Sequence, residues 1–105
     1  MADETTARSW TFLSNHGHVL LSVADAPDAR IRDIAERVGI TERAAQLIIG
    51  DLVEAGYVTR TRVGRRNSYR IAAERPFRHP AESGRNVDDL VAIFRRTPQA
   101  GAADA

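Results

Sequence analysis

In the stretch 41–56, TERAAQLIIGDLVEAG, the apolar residues Ala45, Ile48, Ile49 and Leu52 follow the i, i+3, i+4, i+7 spacing that lines one face of an α-helix. The pattern predicts a helix with that face buried and Glu42, Arg43, Gln46 and Gly50 turned outward. Thr41 can cap its start with its hydroxyl, and Glu42 places a negative charge where the helix dipole favours one. The same period governs residues 32–38, with Ile34, Ala35 and Val38 inward and Gly39 able to end the helix in a left-handed conformation. A further helix is predicted from Ser14 or Asn15, either of which can cap it, to about Asp25. Val19, Leu20 and Val23 share one face of it, with Leu21 nearby. Ala26-Pro27-Asp28 breaks that helix, and residues 29–31 read as a short extended segment. A short helix, a tight Gly39-Ile40 turn and a longer helix make a helix-turn-helix.

After Gly56 the period drops from 3.6 to 2. Residues 57–63 and 68–71 are rich in Thr, Val, Tyr and Ile, and Gly64-Arg65-Arg66-Asn67 between them reads as a hairpin connection. The expected architecture is therefore mainly α with a small β-hairpin, a winged helix-turn-helix with an added C-terminal helix. Alternation places Arg60 and Arg62 on one face of the first strand with Val58, and Thr59, Thr61 and Val63 on the other. Which of these faces meets solvent is left open. On the second strand Tyr69 and Ile71 are expected inward, with Ser68 and Arg70 outside.

Residues 75–80, with two prolines, are read as irregular. Asn86 is expected to cap a last helix with Asp88 and Asp89 in its first turn, a stripe of Val87, Leu90, Val91 and Phe94, and Arg95 and Arg96 at its end. The chain then divides into an arm (1–13) that is partly disordered, a winged helix-turn-helix (14–72), a connection with the C-terminal helix (73–97), and a disordered tail (98–105). Trp10, Phe12 and Leu13 gather apolar bulk at the end of the arm. Packing within the monomer and contact across a dimer both explain them.

Composition adds chiefly through charge. The length of 105 residues fits one domain with a single modest core, and the formal net charge is only +1. Residues 57–86, however, hold 8 Arg against 2 Glu, while residues 1–56 hold 5 Arg against 9 Asp and Glu. A concentrated basic segment beside a helix with an exposed polar face suggests a polyanion partner, and double-stranded DNA is the natural one. All 15 basic residues are arginine, a bias first read as genome composition. Cysteine is absent, excluding disulfides and thiolate chemistry. No stretch is long and apolar enough for a membrane span, and no basic segment followed by an apolar run opens the chain, so a cytoplasmic location is expected. His16 and His18 stand two apart, and residues at that spacing do not share a helix face, so neither a metal site nor another cofactor is expected. No phosphate-cradling glycine loop, HExxH or Gly-x-Ser-x-Gly motif is present, and nothing points to an enzyme.

The segment ITERAAQLIIGDLVEAGYVTRTRVGRRNSYRI resembles the DNA-binding core of small bacterial MarR/ArsR-like winged-helix transcriptional regulators, a resemblance extending over residues 14–72. It implies a transcriptional regulator and, for the terminal helix, a homodimer interface; Trp10, Phe12, Leu13, Leu90, Val91 and Phe94 are the candidates. On DNA, Thr41 and Arg43 lie at the helix start, where a phosphate is favoured, and Glu42 between them is a further DNA-contact candidate. Arg43 and Gln46 are the best readers of guanine and adenine edges. Leu47 either meets a thymine methyl or flanks the core. Arg65 and Arg66 at the hairpin tip are candidates for phosphate or minor-groove contact, with Arg60, Arg62 and Arg70 behind them. Asn67 is either a contact or simply a turn residue. A pocket between the terminal helices and a partner could admit a small-molecule effector, though no residue set identifies one. The alternative function is a winged-helix protein-interaction module that does not bind DNA, using the terminal helices.

Overall fold

The computed structural model describes residues 10–95. The expectations for residues 1–9, for Arg96 and for the tail from Pro98 lie outside the described residues. Within them run helices α1 (Asn15–Asp25), α2 (Ile31–Val38) and α3 (Glu42–Glu54), strands β1 (Val58–Val63) and β2 (Arg66–Ile71), a 3₁₀ turn at Pro80–Glu82, and helix α4 (Val87–Phe94).

Three of the four helices, α1, α3 and α4, begin at a side-chain cap. Ser14 Oγ accepts from the Gly17 amide at 3.2 Å, and Thr41 Oγ1 accepts from the Ala44 amide at 3.0 Å. Asn86 and Asp89 cap α4 reciprocally, side chain to backbone in both directions. Gly39 ends α2 at φ 84°, donating to the Ala35 carbonyl. The expected extended segment at 29–31 forms no strand: Ile31 is the first residue of α2, and the chain before it bonds through Pro27, whose carbonyl accepts from the Tyr69 amide at 2.9 Å.

The inward faces of three helices meet as the periodicity predicts. Val19, Leu20 and Val23 from α1, Ile34 and Ala35 from α2, and Ala45, Ile48, Ile49 and Leu52 from α3 form one core with Tyr57, Val58, Tyr69, Val87 and Val91. Burying a side chain such as Ile34 completely contributes about 1.5–3 kcal/mol, so this cluster is what fixes α3 against the body.

β1 and β2 pair antiparallel with Val58 opposite Ile71 and Val63 opposite Arg66. The connection is therefore only Gly64-Arg65. Gly64 alone takes positive φ there, the arrangement of a type II′ turn. Arg66 and Asn67, expected in the turn, belong to β2, because a two-residue turn needs no further loop. Only the base of the hairpin is buried, at Val58 and Tyr69; from Thr59 onward both faces of β1 are exposed, and Ile71 is half-buried.

Beyond the hairpin the chain folds back on itself. Tyr57 donates its hydroxyl to the Pro76 carbonyl at 2.7 Å, Pro76 bridges to Asn86, and the Val87 and Asp88 amides donate to the Arg75 and Ala73 carbonyls. The proline-rich connection thus carries one strand-like bridge and, at Pro80, the start of a 3₁₀ turn. It docks α4 with Val87 and Val91 in the core and Leu90 half-buried. Val91, grouped above with the dimer candidates, packs within the single chain instead. Ile93 and Phe94 at the end of α4 remain exposed, at 73% and 52%.

Candidate nucleic-acid interface

Two elements project charge or hydrogen-bonding capacity from this body. The first is the outer side of α3. Glu42, Arg43, Gln46 and Leu47 are all exposed, and Gly50 follows them on the same face. Thr41 is exposed as well, but its hydroxyl is occupied by the cap, leaving the amides of the first turn as the available donors. Among the described residues, neither Arg43 nor Gln46 has a side-chain hydrogen-bond partner, so both are uncommitted. Leu47 is 61% exposed, which decides against its flanking the core.

The second element is the hairpin. In an antiparallel pair, directly opposed residues share a face. The register therefore sets Arg60 and Arg62 beside Tyr69 and Asn67 on one face, and Arg66 and Arg70 beside Val63 and Thr59 on the other. All four arginines are exposed, with Arg65 at the tip between the two faces. Their environments differ. Arg62 Nε donates to the Gly64 carbonyl at 3.1 Å and so follows the turn. Arg66 reaches back, donating through a guanidinium nitrogen to the Asp28 carbonyl at 2.7 Å. Arg65 has no partner among the described residues. Asn67 is half-buried within β2, and no non-glycine residue described takes positive φ, so its suggested role as a conformationally tolerant turn residue does not arise.

Several contacts that set this geometry were not apparent in the sequence. Asp28, read there only as a turn former, braces the wing: its carboxylate accepts from Ser68 Oγ at 2.9 Å, its carbonyl accepts from Arg66, and the neighbouring Pro27 carbonyl accepts from Tyr69. His16 Nε2 lies 2.8 Å from Asp51 Oδ2, tying the first turn of α1 to the second half of α3. His18 turns elsewhere, to Asn15. Arg75 stacks its guanidinium over the Tyr57 ring, 5.8 Å from the centroid. These pairs are separated by up to 40 residues, and no local spacing signals them.

Of the dimer candidates, Val91 and Phe94 line a pocket with Ile71 at the base of the hairpin, while Phe12, Leu13 and Leu90 lie elsewhere. Trp10 and Phe12 are 73% and 92% exposed and stack edge to face, with ring centroids 5.1 Å apart. Phe12 and Leu13 share with Leu90 a groove of about 850 Å³ between α1, the end of α3 and α4, so the N-terminal approach and the last helix come together. No group of three or more potential metal ligands occurs among the described residues, and none of their helices is long and apolar enough to cross a membrane.

The arrangement is that of a helix presented by a core, with an arginine-bearing hairpin beside it. No curated protein matches the chain. A model of the MarR family matches residues 11–66, just over half of it, from the approach to α1 through α3 to the first residue of β2. The chain belongs to the MarR family of winged-helix, DNA-binding transcription regulators.

Proposed function

We propose that the protein is a cytoplasmic, bacterial, homodimeric regulator that binds double-stranded DNA sequence-specifically, with α3 in the major groove and the hairpin arginines on the backbone or in the minor groove. One observation carries this reading: Arg43 and Gln46 on α3 and Arg65 at the wing tip, none with a side-chain partner among the described residues, are exposed on two elements fixed to the same core. The major groove is about 12 Å wide and admits a helix. A wing held out beyond its buried base at Val58 and Tyr69 can then reach a neighbouring stretch of phosphates.

The division of labour follows from chemistry. Arginine at the wing neutralises phosphate and releases counterions, which gives affinity without sequence information. Arg43 and Gln46 match the bidentate patterns of guanine and adenine edges. Arg60, Arg62 and Arg70 add positive charge along the hairpin, whereas Arg66 is partly committed to Asp28.

The test is duplex binding over a salt series. For the wild type, log affinity should fall linearly with log salt, with a slope of about −0.9 per phosphate contacted. A chain that holds no duplex even at low salt would instead be a protein-interaction module. The exposed Trp10, Phe12, Ile93 and Phe94 would give such a module the surface on which to hold its partner.

A further inference from the structure

The outer face of α3 contains a glycine that nothing among the described residues requires. Gly39, Gly56, Gly64 and Gly84 take positive φ, and at Gly17 a Cβ would stand 3.3 Å from Leu13 Cβ. Gly50 has neither reason: its φ is negative, it lies within α3, and a Cβ added there would meet no atom within 4 Å beyond its own chain neighbours and helix backbone. Glycine at such a position weakens a helix relative to alanine, because it gives up more backbone freedom on folding.

The surroundings say what the bare backbone suits. Leu47, one turn earlier on the same face, is 61% exposed and offers a bulky apolar side chain to solvent. Together they form an apolar step about 4.5 Å long, the rise of three helical residues. Phosphate fits poorly here, since Leu47 offers no donor and the exposed Glu54 carries negative charge one turn beyond Gly50. An apolar group approaching the helix closely does fit. The major groove supplies one, the C5 methyl of thymine.

Resting on the DNA-binding reading above, we propose that Leu47 and Gly50 form a specificity-determining step that seats a thymine methyl: Leu47 packs against it and the missing side chain of Gly50 lets it approach. Arg43 and Gln46, nearer the helix start, then read the polar edges of neighbouring base pairs.

The experiment selects binding sites for the full chain from a pool of randomised duplexes, then measures the wild type and Gly50→Ala on the selected site with each shared thymine intact or replaced by deoxyuridine, which lacks only that methyl. Each half-site should hold one thymine whose replacement weakens the wild type about fourfold. Gly50→Ala should melt about 3–6 °C higher, bind the thymine site about tenfold more weakly, and be indifferent to deoxyuridine. Equal binding by the two proteins, no shared thymine, or no effect of deoxyuridine on the wild type would overturn the step while leaving DNA binding intact. Failure of the wild type to hold any duplex at low salt would overturn both.

Discussion

Arg65 and Arg66 are adjacent and identical in chemistry, yet the fold assigns them different positions. Arg65 stands at the turn without a described partner, while Arg66 donates to the Asp28 carbonyl at 2.7 Å and helps hold β2 against the α1–α2 loop. A guanidinium already engaged has less to gain from a phosphate than a free one. Arg65→Ala should therefore weaken binding to all duplexes alike and reduce the magnitude of the salt slope by about one, with stability changed by less than about 0.5 kcal/mol. Arg66→Ala should lose about 1 kcal/mol of stability with the hydrogen bond and move the salt slope less. Anisotropy of a labelled duplex across salt, together with thermal melting of each variant, separates the two; a larger slope change for Arg66→Ala would mean the assignments are reversed. Gln46 belongs to the other class. Gln46→Ala should leave the salt slope unchanged and narrow the affinity gap between a selected site and its single-base variants.

At the scale of the element, α3 depends on its first turn. Thr41 Oγ1 satisfies the Ala44 amide, so Thr41→Ala should destabilise the fold by about 1 kcal/mol, lowering Tm by about 4–8 °C, and Thr41→Ser should restore most of it. An unchanged melting curve for Thr41→Ala would show that the cap is energetically idle. That cap, the buried stripe of Ala45, Ile48, Ile49 and Leu52 and the outward set of Arg43 and Gln46 were all legible in the sequence, because helical periodicity and capping are local properties. The wing was legible in kind and shifted in its bounds. Runs of Thr, Val and Tyr announced two strands, but where a strand ends depends on how few residues the turn uses, and the positive φ of Gly64 makes two sufficient. Ile31 joins α2 for a related reason: half-buried beside the core, it gains more from packing than its β-branched side chain loses in helix propensity. What stayed hidden was the Asp28 brace and the His16–Asp51 link, whose partners meet only after the helices have packed.

For the whole molecule, the decisive question is what covers its exposed aromatics. Trp10 and Phe12 stack on each other in solvent at one side of the groove that Leu90 lines, and Ile93 and Phe94 project from the end of α4. Large apolar side chains exposed in this way are suited to burial against a partner. A second copy is the partner that DNA recognition calls for, since a two-fold dimer presents two α3 helices to half-sites about 34–36 Å apart. Size-exclusion chromatography with light scattering should find the chain dimeric, and Phe12→Ser combined with Phe94→Ser should shift it to monomer without lowering Tm much at high dilution, because neither ring belongs to the core of the single chain. On a two-half-site duplex the monomeric variant should lose the linkage between half-sites, which acts as an effective concentration in the millimolar range, and so bind at least tenfold more weakly. On a duplex carrying a single half-site the two proteins should bind alike. If the variant remained dimeric, or if a monomeric variant bound both duplexes as the wild type does, the aromatics would not form the interface on which two-site recognition depends.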